Sequence, residues 1–176
     1  MENDLYNMLR AGMRDVPDFP KAGILFRDIT PVLADAKLFR LAVKALAEGC
    51  VGKNIQKIAG VDARGFIFGA AVAYELGLGF VPVRKRGKLP FQTVVSSYQL
   101  EYGAAEVEMH TDAIQPGERV SLIDDLLATG GTANAAIKLI QQLKGEVVQV
   151  QFLVEIEFLH GREVLAPVPV VSILRY

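Results

Sequence analysis

The sequence predicts an α/β fold with a central, mostly parallel sheet flanked by helices. From Lys57 onward, short apolar segments alternate with helical segments of about a dozen residues, which is typical of parallel βαβ units. The strand segments are apolar almost throughout, as expected for a sheet that is covered on both faces. The chain has 176 residues, 51% of them hydrophobic, which fits a single domain with a substantial core.

The region before Lys57 contains two predicted helices. The first is amphipathic and extends to about Arg14. Two prolines and a glycine then interrupt residues 17–23, so the stretch around residues 25–27 is predicted to be irregular. Apolar residues recur at helical spacing from Asp35 to Glu48, which predicts the second helix.

The remaining elements follow the alternation. The predicted strands are Lys57–Val61, Phe80–Val83, Arg119–Ile123 and Glu146–Val154, and the predicted helices are Gly65–Leu76 and Gly131–Leu143. Between two of these strands, the mixed polar and apolar segments Thr93–Leu100 and Ala105–His110 predict an inserted hairpin that is long and polar enough to be mobile. The segment Phe158–Tyr176 is expected to form a lid beside the sheet with the N-terminal stretch.

Charge and composition exclude several classes of protein. Lys and Arg number 19 and Asp and Glu number 20, so the net charge of −1 provides no basic field for nucleic acid or an acidic membrane. The single cysteine and the two histidines exclude a disulfide framework and make a protein-held metal centre an unfavoured hypothesis. Glu75 interrupts the most apolar stretch, and the N-terminus lacks the plan of a signal peptide. We therefore expect a cytoplasmic protein that binds neither nucleic acid nor membrane.

The segment Val120–Thr132 predicts a phosphate site. An apolar strand ends at Asp124 and Asp125, and a loop with the sequence Ala-Thr-Gly-Gly-Thr over residues 128–132 then opens a helix. In open α/β sheets, ligands gather at the carboxyl ends of the strands, and a helix start offers N–H groups and a positive end. The two glycines would let backbone N–H groups converge on a phosphate monoester.

The two aspartates indicate a different part of the same ligand. Carboxylates would repel a phosphate, but they accept hydrogen bonds from vicinal hydroxyls, so the pair suits a sugar ring. The local pattern therefore predicts a site for ribose 5-phosphate. Taken alone, the glycine loop could be an ordinary turn and the aspartates a helix cap or a solvated pair.

Further motifs extend this pattern along the chain. In order, they are Pro17-Asp18-Phe19-Pro20, Gly23, Phe26-Arg27-Asp28, Asp62-Ala63-Arg64-Gly65-Phe66, Arg84-Lys85-Arg86-Gly87-Lys88-Leu89-Pro90, Tyr98 and Leu100-Glu101-Tyr102-Gly103. Together with residues 120–132, they resemble the type I phosphoribosyltransferases, and in particular the adenine-specific branch of that family, over essentially the whole chain.

The resemblance implies both the architecture and the reaction. It implies one type I phosphoribosyltransferase domain over residues 1–176, with a hood from about 1–34 and 156–176 and a flexible loop at about 91–110. The implied reaction is purine salvage: transfer of the 5-phosphoribosyl group from phosphoribosyl pyrophosphate to adenine, giving AMP and pyrophosphate. Magnesium is the implied cofactor, held mainly by the substrate rather than by protein ligands, and a homodimer is the implied assembly.

The candidate donor-binding residues lie at three predicted strand ends. Those expected to bind the phosphoribosyl group are Asp124, Asp125, Ala128, Thr129, Gly130, Gly131 and Thr132. Those expected to bind pyrophosphate are Ala63, Arg64, Arg84, Lys85 and Lys88, although a basic run is more often only a solvated face. Convergence of three strand ends on one sheet edge favours the binding role.

The remaining candidates concern catalysis and the base. Arg64 and Lys88 are expected to stabilise charge on the leaving pyrophosphate. By resemblance, Glu101 is expected to contact the purine and Tyr102 to close over the pyrophosphate. Without the resemblance, both residues would be interpreted as an ordinary hairpin tip. The candidates for binding adenine are the backbone of Leu25 and Arg27 and the ring of Phe26, although Phe26 could equally be an ordinary core residue. By resemblance, Leu126 and Ile156 are expected to contact the other face of the base.

Two alternative functions use the same fold. A non-catalytic regulator could sense phosphoribosyl pyrophosphate, but the region before the first core strand contains no basic recognition helix. The second alternative is transfer to a 6-oxopurine, namely guanine, hypoxanthine or xanthine. A backbone carbonyl in the base pocket would favour an exocyclic amine over a 6-oxo group.

Overall fold

The computed structural model describes residues 2–99 and 104–176. Its strands are β1 (Arg14–Pro17), β2 (Leu25–Asp28), β3 (Lys57–Val61), β4 (Gly79–Lys85), β5 (Thr93–Gln99), β6 (Ala104–His110), β7 (Arg119–Leu127), β8 (Glu146–Glu155) and β9 (Val170–Arg175). Its helices are α1 (Glu2–Gly12), α2 (Thr30–Ala34), α3 (Ala36–Glu48), α4 (Arg64–Leu76), α5 (Gly131–Gln142) and α6 (Gly161–Val164), with a 3-10 turn at Glu157–Leu159. Within the described ranges, no helix has both the length and the apolarity that a bilayer span needs.

The central sheet has seven strands in the order β5-β6-β4-β3-β7-β8-β9. The five strands from β4 to β9 in this order run parallel, and β6 and β5 are added antiparallel at one edge. Each parallel pair of neighbours in sequence is joined by a connection that crosses a face of the sheet, as βαβ units require. The predicted α/β fold with a mostly parallel sheet flanked by helices is therefore confirmed.

Helices cover both faces of the sheet and bury a core on each. The core on one face includes Leu9, Leu46, Phe68 and Ile123, from α1, α3, α4 and β7. The core on the other face packs α5 against β7, β8 and the hairpin strands. Strands β3, β7 and β8 have buried side chains on both faces, which accounts for the apolar runs in their sequences.

The N-terminal region differs from the prediction in three places. The first helix ends at Gly12 rather than near Arg14, the irregular stretch contains β1 and β2, which pair antiparallel, and α2 was not predicted. A turn joins the two strands, with the N–H of Gly23 donating to Asp18 Oδ1 at 2.7 Å. Each strand has only four residues and none of them is fully buried, so no hydrophobic period reveals it.

The C-terminal segment also differs. Residues 170–175 were expected in a lid, but they form β9, which pairs parallel with β8 at the edge of the main sheet. Burial of Ile173 and Leu174 against the α1–α3 side of the sheet explains this placement. Only the preceding 3-10 turn and α6 lie outside the sheet.

The predicted hairpin strands are confirmed as an antiparallel pair, β5 and β6. Strand β6 pairs with β4 through Arg84↔Glu108 and Lys85↔Val107, so the hairpin extends the main sheet. Met109, which is fully buried, fixes its base in the core.

Candidate active site

A phosphate-sized cavity lies at the carboxyl end of β7. Its volume is about 90 Å³. The lining residues are Asp124, Leu126, Leu127, Ala128, Thr129, Gly130, Gly131, Thr132, Ala133 and Phe152. The structure therefore brings together all five loop residues predicted to bind phosphate.

The loop conformation exposes the start of α5 to this cavity. Gly130 precedes the helix with φ +82°, a left-handed conformation that favours glycine, and the N–H of Asn134 donates to its carbonyl oxygen at 2.9 Å. The first N–H groups of a helix have no partner within it, and the helix dipole makes this end positive. The loop is therefore suited to bind a phosphate dianion.

Asp124 and Asp125 lie within β7, since that strand continues to Leu127 instead of ending at Ile123 as predicted. Asp125 is buried and accepts a hydrogen bond from Nε of Arg64. Asp124 Oδ1 accepts the N–H of Asp125 at 2.9 Å. Burial, followed by the charge of Asp125, raises the pKa of the Asp124 carboxyl well above its usual range.

A second cavity adjoins the first. It has a volume of about 240 Å³ and is lined by Val61, Asp62, Ala63, Arg64, Tyr98, Asp124, Asp125, Leu126 and Thr132. Asp124, Leu126 and Thr132 line both cavities. A ligand with a phosphate at one end and a larger anionic group at the other could occupy the two together.

Close packing sets the distance between the Arg64 turn and the aspartates. Gly65 is the second residue of α4, and a Cβ placed on it would lie 2.7 Å from Asp124 Oδ1 and 3.0 Å from the carbonyl oxygen of Ile123. Glycine is therefore needed here for close approach of the helix to β7.

The basic run around Arg84 is anchored by carboxylates. Arg84 Nε donates to Asp62 Oδ2 at 3.0 Å, and its Nη1 donates to the carbonyl oxygen of Lys88 at 3.2 Å. Lys85, its neighbour in β4, is exposed, and alternation along the strand directs its side chain to the opposite face. The two predicted pyrophosphate ligands at positions 84 and 85 are thus not brought to the same face.

Glu108 holds the turn that carries Lys88. Its Oε1 accepts the N–H groups of Lys88 and Leu89, both at 2.8 Å, and Oε2 accepts the hydroxyl of Thr93 at 3.2 Å. Burial raises the pKa of the Glu108 carboxyl, but hydrogen bonds from this turn outweigh that effect and hold the pKa below its ordinary value. The side chain of Lys88 itself is exposed.

The adenine candidates are connected through Tyr176. Its ring lies 4.1 Å from the guanidinium carbon of Arg27. Its N–H donates to the carbonyl oxygen of Glu155 at 3.0 Å, and its carbonyl oxygen accepts the N–H of Glu157 at 2.9 Å. These contacts tie β2, which carries the three N-terminal adenine candidates, to the segment containing Ile156.

The other base candidates have identifiable neighbours. The ring of Phe26 packs edge-on against Phe19 with centroids 5.2 Å apart, and both lie outside the two sheet cores. The N–H of Ile156 donates to the carbonyl oxygen of Leu127 at 2.9 Å, which places Ile156 beside the end of β7. Leu126 lines both cavities. Glu101 and Tyr102 lie outside the described residues.

Sequence reasoning did not assign three residues that belong to this site. Asp62 and Tyr98 occur in the family motifs, but no role was assigned to them, and both line the larger cavity. Glu108 was not singled out, although a charged residue between the apolar Val107 and Met109 indicates a carboxylate with a structural partner.

Comparison with known proteins agrees with this geometry. A model of the phosphoribosyl transferase domain matches residues 32–164, and the chain belongs to the phosphoribosyl transferase family. The adenine phosphoribosyltransferase of Nitrosococcus oceani is 52% identical over 168 residues, covering 96% of this chain and 98% of the relative. Within the family, the chain groups with the adenine phosphoribosyltransferases, which confirms the resemblance carried by the motifs.

Solved structures give the same grouping. That of the adenine phosphoribosyltransferase from Thermoanaerobacter pseudethanolicus has a TM-score of 0.94 at 48% identity and covers 97% of this chain and 99% of its own. The Saccharomyces cerevisiae enzyme, complexed with an imino-altritol bisphosphate and adenine, has a TM-score of 0.93 at 38% identity and covers 97% and 99% of the two chains.

Proposed function

We propose that the protein transfers the 5-phosphoribosyl group from phosphoribosyl pyrophosphate to adenine, giving AMP and pyrophosphate. The observation that carries the proposal is that the two cavities are adjacent and share Asp124, Leu126 and Thr132 in their linings. The smaller cavity fits the 5-phosphate, and the larger one has arginine and carboxylate side chains for the pyrophosphate and the ribose hydroxyls.

The residues at the donor site have complementary roles in this proposal. Amides of the loop 128–132 bind the 5-phosphate, and Asp124 and Asp125 accept hydrogen bonds from the ribose hydroxyls. As the bond at the anomeric carbon breaks, positive charge grows on the ring and negative charge on pyrophosphate. Arg64 and Arg84 are proposed to stabilise the leaving group.

Magnesium is proposed to bind mainly through the pyrophosphate of the donor. Among residues 2–99 and 104–176, no group of three or more His, Cys, Asp or Glu side chains is arranged to hold a metal. The carboxylates that line the larger cavity are the oxygen ligands that magnesium accepts alongside substrate phosphates. When bound, the ion supplies charge neutralisation at the leaving group.

The base side of the reaction involves residues from three segments. Backbone groups of Leu25 and Arg27 are proposed to read the exocyclic amine of adenine, with Phe26 stacked on the ring. Leu126 and Ile156 are proposed to contact the other face. The connection of β2 to the Ile156 segment through Tyr176 supports a pocket built from these parts.

The loop residues and Lys88 complete the proposal. Glu101 is proposed to contact the purine nitrogen opposite the attacking one, and Tyr102 to close over pyrophosphate, which would exclude water as a competing nucleophile. Ala63 is a further proposed pyrophosphate contact in the Arg64 turn, and Lys85 is proposed to act through its positive charge rather than by direct contact. Lys88→Ala is expected to slow turnover, and Glu101→Ala to lower the rate of the chemical step with little change in donor binding.

A direct assay tests the activity. The protein is mixed with magnesium and donor in the presence of adenine, hypoxanthine, guanine or xanthine in turn, and nucleotide and pyrophosphate are measured. Formation of AMP at the highest kcat/KM is the expected result. Preferred turnover of a 6-oxopurine would contradict the base assignment, and donor binding without pyrophosphate release would favour the sensor alternative.

The predicted homodimer is tested by light scattering after size-exclusion chromatography. A cytoplasmic location stays a prediction.

A further inference from the structure

The short helix α6 supports the phosphate loop from behind. A Cβ placed on Gly130 would lie 2.6 Å from the carbonyl oxygen of Gly161, and one placed on Gly161 would lie 2.1 Å from the carbonyl oxygen of Ala128. The backbones of the two segments are therefore in direct contact at the two glycines. Any shift of α6 would be transmitted to the loop amides that face the smaller cavity.

An ion pair holds α6 in this place. Arg162 forms a bidentate pair with Glu155 at the end of β8, with Nε–Oε1 3.0 Å and Nη2–Oε2 2.6 Å. Its Nη1 also donates to the carbonyl oxygen of Val170 at 2.6 Å, where β9 begins. One side chain therefore fastens α6 to two strands of the sheet.

The partner carboxylate is enclosed by the protein. The Glu155 side chain is only 6% exposed. Burial raises the pKa of this carboxyl, but hydrogen bonds and charge from Arg162, with Ser172 and Arg175, outweigh that effect and hold the pKa below its ordinary value. A bidentate arginine–carboxylate pair is directional, and a lysine cannot reproduce its geometry.

We propose that Arg162 is a positioning residue for phosphate binding. Its pair with Glu155 presses Gly161 against Ala128 and Gly130, and this contact sets the direction of the amides that bind the 5-phosphate. Arg162 acts through the loop and touches neither the phosphate nor the base. The proposal rests on the proposed function only in taking the smaller cavity as the 5-phosphate site.

The test compares Arg162→Lys and Arg162→Gln with the wild type. Ribose 5-phosphate affinity is measured by calorimetry, and kcat and both KM values by the AMP assay, at a temperature where circular dichroism shows each variant folded. We expect ribose 5-phosphate affinity to fall by about tenfold in Arg162→Gln and by less in Arg162→Lys, the loss expected when one charge-assisted hydrogen bond is misaligned. The KM for donor should rise in parallel, while kcat and the KM for adenine change little.

Arg119→Gln is the matched control. Arg119 also pairs with a carboxylate, that of Glu146, but at the opposite end of β7 and β8 from the loop. Its ribose 5-phosphate affinity should equal that of the wild type. An equal loss of affinity in this control, or wild-type affinity in folded Arg162→Gln, would overturn the proposal.

A second variant covers the case in which Arg162→Gln does not fold. Gly161→Ala leaves the ion pair intact but places a methyl group against the carbonyl of Ala128, so it should displace the loop and weaken ribose 5-phosphate binding at least as strongly. Wild-type affinity in folded Gly161→Ala would contradict the proposal. Because the readout is phosphate affinity, a wild type that binds ribose 5-phosphate but does not use adenine would refute the proposed function alone.

Discussion

The guanidinium of Arg64 donates a hydrogen bond to the buried carboxylate of Asp125, which lies 61 residues further along the chain. Arg84 is paired in the same way with Asp62. Arg64 lines the larger cavity, and Arg84 pairs with Asp62 in that lining, so both arginines have carboxylate partners within the protein. These carboxylates hold the two guanidinium groups in place at the carboxyl ends of β3, β4 and β7.

Replacement of Asp125 is predicted to weaken donor binding specifically. Asp125→Asn removes a charged acceptor for ribose hydroxyls and the partner of Arg64, so we expect the KM for donor to rise by about 10- to 100-fold. The KM for adenine should change much less. Steady-state kinetics measure both values, with the exposed Asp112→Asn as the control. Equal effects on the two substrates would contradict the assignment of Asp125 to the ribose.

Replacement of Asp124 by asparagine is predicted to stabilise the fold at neutral pH while weakening the binding of the donor. Burial and the charge of Asp125 raise the pKa of Asp124 in the folded protein, so this carboxyl lowers the stability of the fold as the pH rises from its ordinary pKa to the raised one, and by the full amount above that. Below the ordinary value of about 4, the carboxyl is protonated in both states and has no such cost. Asp124→Asn should therefore have the higher Tm at pH 7, and the difference should disappear as the pH falls below about 4. Thermal unfolding followed by circular dichroism tests this, and a lower Tm for the variant at pH 7 would refute it.

A single methyl group at Gly65 is predicted to disturb the site. Its Cβ would overlap Asp124 Oδ1 and approach the backbone of Ile123, so Gly65→Ala should lower the free energy of unfolding by about 1–3 kcal/mol and raise the KM for donor. Gly79→Ala is the matched control, because the nearest atom to its Cβ is 4.0 Å away. Urea titration gives both stabilities. Similar losses in the two variants would mean that packing against Asp124 is not the cause.

Glu108 is predicted to control the turn that carries Lys88. Glu108→Gln should lower kcat/KM for the donor, because the N–H groups of Lys88 and Leu89 lose their charged acceptor. The lowered pKa of Glu108 also means that its ionised form contributes stability above its ordinary pKa, and that this contribution is lost as the pH falls through the folded value. The Tm gap between wild type and variant should therefore narrow in acid. Glu106→Gln, on the same strand but in an exposed pair with Arg86, should show neither effect.

Tyr176 is predicted to affect the base more than the donor. Tyr176→Leu removes the stacking against Arg27 and Arg10 while keeping an apolar side chain. Cation–π contacts of this kind contribute about 0.5–2 kcal/mol, so the KM for adenine should rise by a few-fold to about tenfold. Tyr176→Phe keeps the ring and should behave like the wild type. A larger change in the KM for donor than for adenine would contradict the link between Tyr176 and the base pocket.

The parallel strands β3, β4, β7 and β8 and the phosphate loop could be predicted from the amino-acid sequence alone. Strands β3, β7 and β8 are buried on both faces, so their identity is visible as apolar runs, and the loop 128–132 depends on glycines and a helix start that are adjacent in the chain. Family motifs added the pyrophosphate and base candidates. The sequence patterns that gave correct predictions are local, because each depends only on residues that are close together in the chain.

The tertiary structure alone decided which of these residues meet. The pairs Arg64–Asp125, Arg84–Asp62 and Arg162–Glu155 join different segments, and the contact of Gly130 with Gly161 depends on where α6 packs. The short strands β1 and β2 and the edge strand β9 could likewise not be predicted from the sequence. Short or partly exposed strands acquire their pairing from partners elsewhere in the chain. Long-range packing sets these distances, and hydrophobic periodicity carries no information about them.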